Sequence, residues 1–100
     1  MLNIVLFCAY GASSGLLVDK LKAEAEARGL DAAINAYSVD EAERYVEDAD
    51  IILLGPQMRM RMADLESEYP DTKFMLIDTL DYGRMRVANI LDAVDEKLNS

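Results

Sequence analysis

Three four-residue runs, Ile4-Val5-Leu6-Phe7, Ile51-Ile52-Leu53-Leu54 and Phe74-Met75-Leu76-Ile77, are apolar at every position. A strand with one wet face alternates apolar and polar residues. A run without alternation is covered on both faces, as the strands of a parallel sheet are. The segments between these runs have helical spacing. Leu17, Leu21, Ala25 and Arg28 recur at four and three residues, which predicts an amphipathic helix that Gly29 stops in a left-handed conformation. Val87, Leu91, Val94 and Leu98 form a second such stripe.

The remaining elements are weaker. Ala33-Ile34-Asn35-Ala36-Tyr37 is short and partly polar, as an edge strand would be. Ser38-Val39-Asp40-Glu41 reads as a capping box, Ser38 accepting from the Glu41 amide and the Glu41 carboxylate reaching back, with a helix running to about Glu47. Residues 58–68 read as a third helix, closed by Tyr69-Pro70-Asp71. The order is therefore βαβαβαβα. Strict alternation of this kind implies an α/β fold, a four-stranded parallel sheet, doubly wound, with helices on both faces. One hundred residues without repeat, linker or low-complexity stretch read as a single domain, 1–100.

In sheets of this type ligands sit beyond the carboxyl ends of the strands, where the strand order switches direction. Cys8, Gly55-Pro56-Gln57 and Asp78 all fall at such ends. Cys8 stands between the first strand and the small-residue loop Ala9-Tyr10-Gly11-Ala12-Ser13-Ser14-Gly15, which feeds a helix N-terminus. Loop amides and the helix dipole favour negative charge there; the same arrangement lowers a thiol pKa and holds the oxygens of a bound phosphoryl group. A lone Cys can also simply pack, and Ser13 or Ser14 can serve as an ordinary N-cap. The strand-to-loop position favours the functional reading of Cys8.

Several function classes drop out. Ten Lys and Arg against nineteen Asp and Glu leave a net charge of −9, which repels nucleic-acid phosphates and anionic lipid headgroups. Histidine is absent, and with it the commonest general base and metal ligand. Neither a metal nor a cofactor is expected. One cysteine excludes an internal disulfide and points to a reducing compartment, the cytoplasm. The uncharged residues 2–18 lack a preceding cation, and the apolar stretch 4–10 is far short of the about 20 residues a membrane span requires. The loop has neither G-x-x-x-x-G-K-[ST] nor G-x-G-x-x-G, so nucleotide binding has no support. A phosphatase of the Cys-x5-Arg type would need an Arg where Ser14 stands, and no Arg occurs between Cys8 and Arg28.

The chain resembles the enzyme IIB component of the lactose/cellobiose class of bacterial sugar phosphotransferase systems (PTS). Cys8-x-x-Gly11-x-Ser13-Ser14 before Leu16-Leu17-Val18, then Leu53-Leu54-Gly55-Pro56-Gln57, then Ile77-Asp78-Thr79-x-x-Tyr82-Gly83 carry the resemblance over essentially the whole length. It implies a phosphotransferase whose cysteine, here Cys8, takes a phosphoryl group from a phosphohistidine of a IIA protein. The cysteine then passes it to a sugar such as cellobiose, lactose or chitobiose bound by the membrane component IIC. Ala9 to Gly15 would bind the phosphate. The protein would be cytoplasmic, meeting the inner face of the membrane only through IIC. Tyr10 stands where the family usually has Ala, and Gly15 where it has a hydroxyl residue.

The missing histidine fits, because a thiolate nucleophile needs no base of its own. An acidic carrier that docks phosphorylated partners needs neutral or basic surface around Cys8. Gln57, Met58, Arg59 and Tyr82 are the candidate partner surface, within Met58-Arg59-Met60-Arg61-Met62 and the Asp78-to-Gly83 segment. Alternatively the methionines cap the core and the arginines face water. For Asp78 a capping role is expected, since a carboxylate beside a phosphocysteine would repel it. The competing reading of the whole chain is a small α/β anion-binding or regulatory module without catalysis; a low-molecular-weight phosphatase-like protein ranks below it.

Overall fold

The computed structural model describes residues 1–8 and 14–99, with Cys8 and Ser14 described through their backbone alone. The chain runs β1 (Leu2–Cys8), α1 (Ser14–Ala27), β2 (Ala32–Ser38), a 3-10 turn (Val39–Glu41) leading into α2 (Ala42–Tyr45), and β3 (Ile51–Leu54). A second 3-10 segment (Pro56–Arg61) leads into α3 (Met62–Glu68), followed by β4 (Phe74–Leu76), α4 (Thr79–Gly83) and α5 (Val87–Leu98). The four strands form one sheet in the order β2-β1-β3-β4. All three pairings are parallel.

Two of the three alternation-free runs are buried on both faces, as expected; in the third, Phe74 and Ile77 are buried but Met75 and Leu76 are only half-buried, because β4 is an edge strand of the sheet. Residues 4–7 and 51–54 are all 2% exposed or less. Successive side chains go to opposite sides. Ile4, Leu6, Ile51 and Leu53 pack with Leu17, Leu21, Ile90 and Val94 under α1 and α5. Val5, Phe7, Ile52 and Leu54 pack with Ala42, Val46, Met58 and Leu65 under α2 and α3. Each such large side chain contributes about 1.5–3 kcal/mol relative to exposure, so β1 and β3 are the main source of stability.

Gly29 adopts φ 69° after α1. Its amide donates to the Glu26 carbonyl at 3.0 Å and the Leu30 amide to that of Ala25 at 2.9 Å, which is a Schellman closure. Arg28, spaced as though it ended the apolar stripe of α1, instead ties two helices together. Its Nε contacts Glu24 Oε2 and its Nη1 contacts Asp92 Oδ1, both at 2.9 Å. Its Nη2 donates to the Ala88 carbonyl at 2.9 Å.

The second and third helices differ from expectation. Both open in 3-10 geometry, and the α-helical part of the second is only Ala42–Tyr45. The tighter turn also changes the cap: Ser38 Oγ accepts from the Asp40 amide at 3.3 Å, not from Glu41. The five-residue α4 is an element that the apolar periodicity does not signal.

Candidate active site

The register assembles the carboxyl edge of the sheet. Phe7 pairs with Leu54 and Leu54 with Leu76, so the next residues, Cys8 at the end of β1, Gly55 just after β3 and Ile77 just after β4, come to the same edge. On the other flank Cys8 pairs with Ser38. This is the switch point of the sheet: from β1 the chain goes outward to β2, and from β3 it goes outward to β4 in the opposite direction. The N-terminus of the fourteen-residue α1 returns to the same edge at Ser14, and its first turn contains no acidic residue.

Of the residues expected to cradle phosphate, Ala9, Tyr10, Gly11, Ala12 and Ser13 lie outside the described residues. Ser14 opens α1. Gly15 follows in its first turn, where an added Cβ would meet nothing within 4 Å. That glycine therefore has no steric reason to be one.

Gly55 differs. It is buried, its amide donates to the Phe7 carbonyl at 3.3 Å, and its carbonyl accepts from the Met58 amide at 2.8 Å. An added Cβ would come within 2.7 Å of Gln57 Oε1 and 3.1 Å of Gln57 Nε2. The carboxamide of Gln57 thus lies over Gly55, on the carboxyl edge. Pro56 starts the 3-10 segment, where its missing N–H and preset φ are harmless.

Beyond Gln57 the methionines part company. Met58, expected on the partner surface, is 2% exposed and belongs to the core under α2 and α3. The 3-10 turn points residue 58 back at the sheet, so it cannot meet a partner. Met60 is 86% exposed. Arg59 is exposed as well. Arg61 turns toward a shallow cleft between α2 and α3, with Asp40, Glu43 and Glu68.

At the end of β4, Asp78 Oδ1 accepts from the Leu80 amide at 3.4 Å and the Asp78 carbonyl accepts from the Tyr82 amide at 2.9 Å. Asp78 is the N-cap of α4. Tyr82 is half-buried against the core under α1 and α5. Met85 follows at φ 51°, and the Arg86 amide closes the turn on the Asp81 carbonyl at 2.8 Å.

Sequence reasoning missed part of this rim. Leu16 and Leu80, each 57% exposed, follow β1 and β4, flanking the Met60 of the candidate segment after β3. Arg84 and Arg86 are exposed beside them. The available signal was Arg84-Met85-Arg86, which repeats the Arg59-Met60-Arg61 triplet on the neighbouring strand exit. Among the described residues, no group of three or more His, Cys, Asp or Glu side chains could hold a metal ion. No described helix is long and apolar enough to cross a membrane.

Known proteins share both the sequence pattern and the architecture. Residues 3–93 match the family model described as the PTS system, Lactose/Cellobiose specific IIB subunit. The chain is 36% identical over 85 residues to the oligo-beta-mannoside-specific EIIB component of Bacillus subtilis (strain 168), covering 83% of this chain and 82% of that protein. It is 31% identical over 103 residues to the cellobiose-specific EIIB component of Lactococcus lactis subsp. lactis (strain IL1403), covering 96% and 95%. The solution structure of a cellobiose-specific IIB component from Borrelia burgdorferi superposes with a TM-score of 0.81 at 30% identity, covering 98% of this chain and 92% of that one. The lactose-specific IIB domain of Streptococcus pneumoniae, at 19% identity and a TM-score of 0.78, shares the fold. With its sequence matched over residues 3–93 and its βαβ architecture matched over nearly the whole chain, the protein belongs to the lactose/cellobiose-specific IIB family of the phosphotransferase system, and is a phosphotransferase component.

Proposed function

We propose that Cys8 is the phosphoryl acceptor and donor of this IIB component, receiving the group from a phosphohistidine of a IIA protein and delivering it to a sugar bound by a membrane IIC permease. The observation that carries this reading is the position of Cys8: it ends β1 at the switch point, in register with Ser38 on one flank and next to the Phe7–Leu54 pair on the other, on the edge to which the α1 N-terminus returns.

The chemistry is two displacements at phosphorus. In the first, the Cys8 thiolate attacks; an S–P bond forms as the N–P bond of the phosphohistidine breaks, and the imidazole nitrogen leaves with the electron pair. In the second, a sugar hydroxyl oxygen attacks; an O–P bond forms, the S–P bond breaks and the thiolate is restored. The hydroxyl proton leaves to a base outside this chain, which has no histidine to take it. A thiolate needs no base to become a nucleophile. What this chain supplies is an anion-stabilising setting: loop amides from residues 9–15 and the α1 dipole.

Both partners must reach the edge that carries Cys8. Leu16, Met60, Leu80, Arg59, Arg84 and Arg86 form the docking rim in this reading, with Gln57 and Tyr82 inside it. Met and Arg are enriched at interfaces, and a local cluster of cations counters the overall charge of −9 as an acidic partner approaches. Contact with the membrane would run through IIC, from the cytoplasmic side. The relatives are named for oligo-beta-mannoside, galactose and cellobiose at similar identity, so the choice among sugars does not reside in the shared fold.

The test is intact-mass measurement after incubation with phosphoenolpyruvate, the general phosphotransferase proteins and IIA partners. A single phosphate adduct that Cys8→Ser abolishes is expected. Absence of an adduct with every IIA partner tried overturns the reading in favour of a binding module.

A further inference from the structure

Gly55 has φ −62° and ψ 156°, a conformation open to any residue. What fills the place of its missing side chain is the far end of a flexible one: the Gln57 carboxamide occupies the space a Cβ would take, with Oε1 at 2.7 Å, Cδ at 3.0 Å and Nε2 at 3.1 Å from that point. The direction of that space follows from the pleat. Leu53 packs under α1 and α5 and Leu54 under α2 and α3, so the Cβ direction of residue 55 returns to the α1 and α5 side. Ile77, the corresponding residue after β4, packs on that side, which shows that the alternation persists past the strand ends. Position 8 belongs to the pleat row of Ile4 and Leu6, the same side again. Residues 8 and 55 follow Phe7 and Leu54, the last pair of the β1–β3 ladder, whose strands run about 4.8 Å apart in the hydrogen-bonding direction. The Gln57 amide, on an exposed side chain, therefore lies over Gly55, on the side of the sheet to which position 8 belongs.

This amide has no hydrogen-bond partner among the described residues. It offers two N–H donors and no charge. A neutral donor suits a carrier that must bind a phosphoryl dianion and then release it; a bidentate Arg would hold the group more strongly. We propose that Gln57 Nε2 donates a hydrogen bond to a phosphoryl oxygen carried on Cys8, and that Gly55 exists to let it do so. The proposal rests on Cys8 being the phosphoryl acceptor.

Three variants, Gln57→Ala, Gly55→Ala and the double substitution, test it in transfer from a phosphorylated IIA protein that labels Cys8 of the wild-type chain. The methyl of Gly55→Ala meets only the end of a flexible side chain, so it moves the amide rather than the backbone; circular dichroism and thermal melting check this. Loss of one hydrogen bond to a charged group predicts a fall of about 10- to 100-fold in the maximal transfer rate for either single variant. The KM for the donor should stay within about twofold, since the contact forms with the phosphoryl group and not with the donor surface. The double variant should be no slower than the slower single one. In the phosphorylated wild-type protein the Gln57 Nε2 proton resonances should move downfield. Unchanged rates, a loss confined to KM, additive losses in the double variant, or amide resonances indifferent to phosphorylation would each overturn the role of Gln57. If the wild-type chain takes no label on Cys8, the carrier reading itself has failed, and that result is distinct from all of these.

Discussion

Asn3 and Asp50 pin the sheet at its amino edge: the Asn3 amide donates to Asp50 Oδ2 at 2.7 Å, and the Asp50 amide donates to the Asn3 carbonyl at 2.8 Å. Their separation in sequence is 47 residues, the same offset that sets Ile4 against Ile51 and, at the other end of the ladder, Phe7 against Leu54. The contact that starts the β1–β3 pairing thus shares its register with the functional edge. Asn3 Nδ2 adds a bond to the Asp48 carbonyl at 2.7 Å.

Replacing Asp50 by Ala removes the side-chain acceptor from the Asn3 amide but leaves the backbone bond. Urea unfolding should show a loss of about 1 kcal/mol, the usual net value of one such bond. Phosphoryl transfer should be retained, because the burial of residues 51–54 holds the register without the pin.

Leu53→Ala opens a cavity in the fully buried middle of β3, among Leu6, Leu17 and Ile90. Denaturant unfolding should show a loss of about 2–5 kcal/mol, a large part of the 5–15 kcal/mol that typically holds a small domain together. An effect below about 1 kcal/mol would contradict the packing described for this face.

Charge reversal on the rim, Arg84→Glu with Arg86→Glu, should slow association with the IIA donor about tenfold at low salt, with the difference shrinking as ionic strength rises. The measurement is the second-order transfer rate at several salt concentrations. Leu80→Asp should slow transfer at every ionic strength, since it removes apolar contact. If neither substitution changes the rate, the donor does not dock on this rim.

Tyr69 titrates above its ordinary value of 10.0, because burial disfavours the phenolate and Glu68 and Glu43 add negative charge nearby. A folded-state pKa raised above the unfolded one means that the neutral phenol is favoured by folding. Its contribution to stability is complete below the unfolded pKa and is lost as pH rises through the folded value. Stability measured by urea unfolding should therefore fall as the pH climbs past about 10, and Tyr69→Phe should flatten that fall. Equal slopes in the two proteins would show that Tyr69 is not the group responsible.

Much of this protein was legible in local pattern. The doubly covered strands β1 and β3 contain runs of four apolar residues, the pattern that burial on both faces suits, while the third such run, Phe74 to Ile77, is only partly buried at the sheet edge. Gly29 announced the end of α1 because a left-handed residue there is cheapest as glycine. The position of Cys8 at a strand end, and the family to which the chain belongs, follow from residues adjacent in sequence. Other features needed the folded chain. Met58 and Met60 each stand directly before an arginine, yet one is 2% and the other 86% exposed. Their fates diverge because the segment leaves β3 as a 3-10 turn, and only the direction of that exit decides which side meets the sheet. Arg28 extends a helical stripe in sequence but finds Asp92, 64 residues away, only when α5 lies against α1. The strand order β2-β1-β3-β4 is likewise non-local, since periodicity reports which faces are buried and not which strand covers which. So, too, is the meeting of the β1 and β3 carboxyl ends: 47 residues separate Phe7 from Leu54 in sequence, and parallel pairing of β1 with β3 brings them to one edge.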